Sequence, residues 1–202
     1  MREGKMFKQA KFGKRGDGKR SGKKIGEVRV IAGKLKGEKI KTPGEGTHPM
    51  GERERNALFN MIVDMLPRAF VFDAYAGSGA LGIEAISRGA AFVLFMDKDP
   101  RAVEAINENL KKLKLYGPNG GAMLADTSVV VRTATDRFSI VLADPPYDEY
   151  NPKMITRLAR VVAPGGILVA STPEEGPEIK GMEKIKSQKY ARAHISVYRW
   201  AK

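Results

Sequence analysis

Asp144-Pro145-Pro146-Tyr147 is the stretch of this sequence best equipped for chemistry. It follows the apolar run Ser139-Ile140-Val141-Leu142-Ala143, which reads as a short buried strand. A carboxylate, two prolines and an aromatic ring at a strand's carboxyl end can hold a flat, amino-bearing ring beside a reactive group. The Asp144 side chain and the Pro145 carbonyl can each accept a hydrogen bond from an exocyclic amine, and Tyr147 offers a face for stacking. Prolines restrict φ and remove backbone donors, so the carbonyls are aimed rigidly. The same residue types also end strands and open loops without further purpose. A second motif decides between these readings.

That motif lies upstream, where the apolar run Phe70-Val71-Phe72 leads into Asp73-Ala74-Tyr75-Ala76-Gly77-Ser78-Gly79-Ala80-Leu81-Gly82. Glycines permit a tight strand-to-helix turn and let a ligand approach the backbone closely. Gly77, Gly79 and Gly82 spell the spacing of dinucleotide sites, so a dehydrogenase has to be weighed. The next apolar strand, Phe92-Val93-Leu94-Phe95-Met96, ends in Asp97-Lys98-Asp99. An acid there suits the ribose hydroxyls of NAD and of S-adenosylmethionine alike. Asp73, four residues before the first glycine, is typical of methyltransferases, and hydride transfer has no use for Asp-Pro-Pro-Tyr.

The elements that must position these motifs alternate. Val28–Ile31 and Glu38–Lys41 read as a hairpin, followed by the Pro/Gly-rich crossing Thr42–Gly51. Glu52–Leu66 has the spacing of an amphipathic helix stopped by Pro67. Strands are expected at Phe70–Asp73, Phe92–Met96, Ala122–Leu124, Ile140–Ala143 and Ile167–Ala170, with helices between them such as Ala102–Leu115 and Lys153–Val162. Such alternation argues for a doubly wound α/β fold, a mostly parallel sheet covered on both faces. Glu183–Ser187 and Ala193–Trp200 lack an intervening helix and read as an antiparallel pair. His194 and Trp200 belong to that pair as packing residues.

Composition narrows the function. At 202 residues the chain suits one domain with a sizeable core. No apolar run reaches the roughly 18 residues of a membrane span, and the basic N-terminus has no apolar segment behind it. Cysteine is absent and there are two histidines, which excludes disulfides and thiolate catalysis and argues against a metal site. A cytoplasmic home is expected. Of the formal net charge of +13, residues 1–26 carry +8, with ten basic and two acidic side chains. This Gly-rich, apolar-poor segment is expected as a flexible basic tail, separate from a domain at 27–202 that includes the hairpin at 27–41. Its lysines suit phosphates, held without regard to sequence and with strong salt dependence.

Taken in order, these motifs make the chain resemble the bacterial guanine-N2 methyltransferases of small-subunit ribosomal RNA, within the class I S-adenosylmethionine-dependent methyltransferases. The resemblance runs from about Val28 to Trp200. It opens on Val28-Arg29-Val30-Ile31-Ala32-Gly33 with Lys36-Gly37, and continues through Pro49, Arg53, Leu58, Phe59 and Asn60. The family usually has Arg-Pro-Thr at the start of that second segment and often Glu where Asn56 stands. His48 and Met50 depart from its pattern, and no role is carried over to either. The resemblance implies a seven-stranded class I methyltransferase sheet ending in the antiparallel pair. It also implies S-adenosylmethionine as cofactor and ribosomal RNA, or the small subunit, as partner, with no membrane and no metal.

Carried onto this sequence, Asp73 and the segment Ala76-Gly77-Ser78-Gly79 are expected to hold the methionine part of the cofactor, and Asp97 the ribose diol. Asp126 is a candidate for the adenine amine and equally an N-cap for a helix at Thr127–Val131; different oxygens can serve both. Asp99 is expected to cap the helix that begins at Pro100. Asp144, Pro145, Pro146 and Tyr147 are the expected catalytic set, Tyr147 also stacking on the base. Arg53 and Arg55, two apart on a helix, diverge: one can pair within the fold while the other faces RNA, and Arg53 is the expected substrate contact. An adenine-N6 methyltransferase could use the same chemistry on another amine. A non-catalytic RNA-binding protein would not need Gly77, Gly79, Asp97 and Asp144 together.

Overall fold

Apolar residues alternate along the central strands, so each strand feeds two cores, and the architecture follows from that. The computed structural model describes residues 26–44, 49–135, 137–190 and 193–201. Residues 1–25 of the expected basic tail and His48 lie outside the described residues. The chain runs through β1 (Glu27–Arg29), β2 (Lys39–Lys41), α1 (Glu52–Met61), β3 (Phe70–Asp73), α2 (Ala80–Ser87), β4 (Phe92–Asp97) and α3 (Pro100–Lys112). It continues through β5 (Gly120–Leu124), α4 (Thr127–Thr133), β6 (Phe138–Ala143), α5 (Pro152–Leu158), β7 (Val162–Thr172), β8 (Met182–Lys189) and β9 (His194–Trp200).

β3 to β9 form one seven-stranded sheet in the order β5-β4-β3-β6-β7-β9-β8. The first five of these pair in parallel, whereas β9 runs antiparallel to both β7 and β8. Val71, Phe95, Ile140 and Leu142 point into a core shared with Leu58 and Phe59 of α1, Ile83 of α2 and Ile106 of α3. Phe72, Met96, Val141 and Leu168 point the other way, against Val130 of α4 and Ile155 of α5. The sheet is thus doubly wound, and the strand order reverses between β3 and β6. In open α/β sheets, ligands bind at the carboxyl ends beside such a reversal.

The element bounds differ from the sequence expectation where packing overrides pattern. The expected helix Glu52–Leu66 ends at Met61, because Ile62 leaves helical geometry (φ −123°, ψ 14°), and a 3-10 turn spans Val63–Met65. Ile62 and Leu66 are still fully buried, so the apolar spacing survived the break. β5 starts two residues earlier than expected. A Cβ on Gly120 would meet the Phe95 ring at 3.0 Å and the Val93 carbonyl at 3.1 Å, so a strand residue without a side chain is required there.

The hairpin β1–β2 is a separate two-stranded sheet. It is bolted to the domain through buried polar side chains. Glu84 of α2, 1% exposed, accepts from the amides of Ile31 (2.8 Å) and Ala32 (3.0 Å) and pairs with Arg88 at 2.7 Å. Asn109 of α3 accepts from the Lys41 amide (2.9 Å) and donates to the carbonyls of Lys41 (2.9 Å) and Ser78 (3.2 Å). Arg55 is buried and donates to the carbonyls of Arg29 (2.7 Å) and Met50 (3.2 Å). Burial lowers its pKa, against the pull of Glu84 and Glu52. Arg55 is therefore the structural member of the arginine pair, spent on carbonyls more than on a carboxylate.

Candidate active site

A cleft of about 1150 Å³ opens at the carboxyl ends of β3, β4 and β6. Ala76, Gly77, Ser78, Asp97 and Asp126 line it together with Asp144, Pro145, Pro146 and Tyr147. Two motifs about seventy residues apart in sequence therefore share one wall. Gly79 and Asp73 do not line the cleft but build it from behind. Gly79 takes φ +79° as the cap residue of α2, a conformation that L side chains rarely adopt. A Cβ on Gly82 would fall 2.2 Å from the Phe95 ring, so the third glycine sets how closely α2 approaches β4.

The acids on the cofactor side are already engaged. Asp97 Oδ2 accepts from the Gly77 amide at 2.8 Å and Oδ1 from the Asp99 amide at 2.9 Å. One carboxylate therefore fixes the glycine loop against the end of β4, and each oxygen keeps a further lone pair for a hydroxyl donor. Asp126 caps α4 through the Ser128 amide (2.9 Å), and the Ser128 hydroxyl and amide hold its carboxyl below the usual range. Asp99 caps α3, accepting from the Arg101 amide at 2.9 Å.

Two further acids, Asp73 behind the cleft and Asp144 on its wall, are desolvated. Asp73 is 1% exposed; its Oδ2 accepts from the Gly82 amide at 2.9 Å, while Oδ1 is buried with no partner. Burial, with Asp144 and Asp97 nearby, pushes its pKa up to about 7. Asp144 is reached from the cleft, yet its carboxyl is walled by protein, and that desolvation pushes it up to about 6.

Several residues of the site carried no signal in the sequence. Ser171 and Thr127 line the cleft, and the Thr127 hydroxyl donates to the Ala74 carbonyl at 2.5 Å. Lys98 Nζ meets Glu149 Oε2 at 2.6 Å, joining the end of β4 to the turn after Asp-Pro-Pro-Tyr. Met50, a departure from the expected pattern, lines the cleft with Pro49 and Glu54. Arg53 is exposed on α1 outside this lining, with Tyr190 close enough to feel its charge. Trp200 packs on the second core and donates to the Val162 carbonyl at 3.2 Å, and His194 is half-buried on β9.

Donors and acceptors suited to a cationic, hydroxyl-bearing nucleoside line one half of the cleft, and acceptors for an amine line the other. The sheet order, the glycine turn and this division define a class I methyltransferase. The chain belongs to the family described as conserved hypothetical protein 95, whose model matches residues 28–199. It is 31% identical over 182 residues to the Bacillus subtilis protein named "Putative rRNA methyltransferase YlbH", covering 85% of this chain and 98% of that one. It is 33% identical over 125 residues to ribosomal RNA small subunit methyltransferase D of Haemophilus influenzae, covering 60% of this chain and 65% of that protein. Among solved structures, the Escherichia coli protein titled "Putative methyltransferase yhhF" superposes with a TM-score of 0.78 at 25% identity, covering 87% of this chain and 98% of the other.

Proposed function

We propose that the protein transfers a methyl group from S-adenosylmethionine to the exocyclic N2 amine of a guanine in small-subunit ribosomal RNA. The observation that carries this reading is the meeting of Asp144-Pro145-Pro146-Tyr147 with the glycine loop and Asp97 in one cleft at the strand-order reversal. The fit to the cofactor is chemical. Seven acidic residues and one lysine line the cleft among the described residues, which suits a cation with a ribose diol. When bound, S-adenosylmethionine supplies an electrophilic methyl on a sulfonium. The Asp97 lone pairs remain for the ribose, and Asp126 lines the cleft for the adenine amine.

Methyl transfer is an in-line displacement, so much of the catalysis is positioning. The N2 lone pair of guanine is delocalised into the ring and is a poor nucleophile. Asp144 and the Pro145 carbonyl accept the two N–H bonds of that amine, localise the lone pair, and stabilise positive charge that develops on nitrogen as the N–C bond replaces the methyl–sulfur bond. One amine proton then leaves to Asp144. Tyr147, 43% exposed at the cleft, stacks on the base. A paired base must first leave its helix, so the target is flipped out or single-stranded. Relatives named as ribosomal RNA methyltransferases support RNA as substrate. The test is methyl transfer into ribosomal RNA from cells lacking the protein, with the product nucleoside identified. N2-methylguanosine is expected; N6-methyladenosine would overturn the guanine assignment, and no incorporation would overturn the RNA substrate.

A further inference from the structure

Parallel pairing of β6 with β7 sets Ala143 opposite Ala170, so the next residues, Asp144 and Ser171, stand side by side at the carboxyl ends. Ser171 is 2% exposed, lines the cleft, and its Oγ makes no hydrogen bond of ordinary length. Buried hydroxyls are normally satisfied, so an orphan facing a ligand cleft marks a bond that function calls for. Resting on the methyl-transfer reading of this cleft, we infer that Ser171 is a positioning residue whose hydroxyl donates to one oxygen of Asp144 and leaves the other for the substrate amine.

The surroundings of Asp144 leave this task to Ser171. Its charged neighbour on β3 is Asp73, whose carboxyl the charges of Asp144 and of Asp97 on β4 push up, and both neighbours are acids. Lys98 is the only cation lining the cleft among the described residues, and it is committed to Glu149 at 2.6 Å. Burial raises the Asp144 carboxyl, and the Ser171 hydroxyl is the group that opposes the rise. A hydroxyl has a single proton to donate, so it engages one carboxylate oxygen and orients the pair. Without it, Asp144 accepts a proton at a higher pH, and a protonated Asp144 is a weaker acceptor for the amine.

Single-turnover transfer at saturating RNA and cofactor, followed from about pH 5.5 to about 8.5, tests this through its acid limb. Ser171→Ala is expected to move that limb upward by about half a unit or more and to cost at least about two- to three-fold in rate near pH 5.5, with the rates converging at high pH. Ser171→Thr, which keeps the hydroxyl, should restore the limb, and cofactor affinity should be unchanged in both. Independently of RNA, the carboxyl carbon-13 resonance of Asp144, identified by its loss in Asp144→Asn, should titrate higher in Ser171→Ala. An unmoved limb and resonance, or a rate loss uniform with pH, overturns the inference. If Asp144→Asn instead turns over normally, the role of Asp144 in the transfer fails; no transfer by the unsubstituted protein overturns the methyl-transfer reading itself, while the resonance still reports the Ser171–Asp144 contact.

Discussion

The two halves of the cleft handle their carboxylates in opposite ways. On the cofactor side, Asp97 and Asp126 accept backbone amides at 2.8–2.9 Å and hold the loop and helix in place. On the opposite wall, Asp144 is desolvated beside the buried Ser171 Oγ, and behind the cleft Asp73 Oδ1 is buried without a partner. On the proposed reading, the first half is a finished scaffold for a nucleoside. On the same reading, the second half leaves the desolvated Asp144 to accept from an amine. Satisfied groups give geometry; unsatisfied ones give differential binding as chemistry proceeds.

The largest effect should come from the unsatisfied half. Asp144→Ala is expected to lower single-turnover methyl transfer by about 100-fold or more while cofactor affinity stays within a few-fold. Near-normal turnover at saturating RNA would erase the contrast between the halves. Asp97→Ala should act on the other axis, weakening cofactor binding by roughly 10- to 100-fold by removing charged hydrogen bonds worth about 1.5–3 kcal/mol each. Calorimetry with S-adenosylmethionine measures this, and unchanged affinity would remove Asp97 from the site.

Deleting residues 1–26 should leave both halves untouched and weaken RNA binding alone. For every phosphate that the shortened chain no longer neutralises, the log–log salt slope becomes shallower by about 0.7–0.9, so five phosphates would change it by roughly 3.5–4.5. An identical slope for the two chains would mean that the +8 of this segment does not engage RNA.

A smaller, pH-dependent effect follows from the raised carboxyls. Asp73 at about 7 and Asp144 at about 6 bind protons more tightly in the folded chain than in the unfolded one. Their contribution is therefore full below about pH 4 and is lost as pH rises through about 6 and 7. Asp73→Asn should flatten this slope and raise stability at pH 8 by about 1–3 kcal/mol, read from denaturant titrations. An unchanged slope would place the titration elsewhere. Smallest of all, Lys98→Ala should leave Tm within about 2 °C, because its ion pair with Glu149 is well exposed. A larger drop would show that the pair braces the cleft.

How much of this was legible in sequence depended on whether a residue's partner was local. The glycine turn and the caps at Asp99 and Asp126 have neighbours within a few positions, and their spacing carried the message. Arg55, Glu84 and Asn109 act on partners 26 to 68 residues away and look like ordinary helix-surface residues in the sequence. Ser171 is a small polar residue near the end of an apolar run, and only the register with β6 gives it meaning. Gly120 hid the start of β5 because the close approach of Phe95 requires a residue without the side chain that would signal a strand.

The amide of Asn109 is fully occupied, by the Lys41 amide and carbonyl on one side and the Ser78 carbonyl on the other. Hairpin and glycine loop thereby share one side chain among their anchors. A macromolecule that tilted the hairpin would change the free energy of the nucleoside loop, and by reciprocity the nucleoside would change the affinity for that macromolecule by the same factor. Two ligands that never touch at this point would then favour or oppose each other through this asparagine.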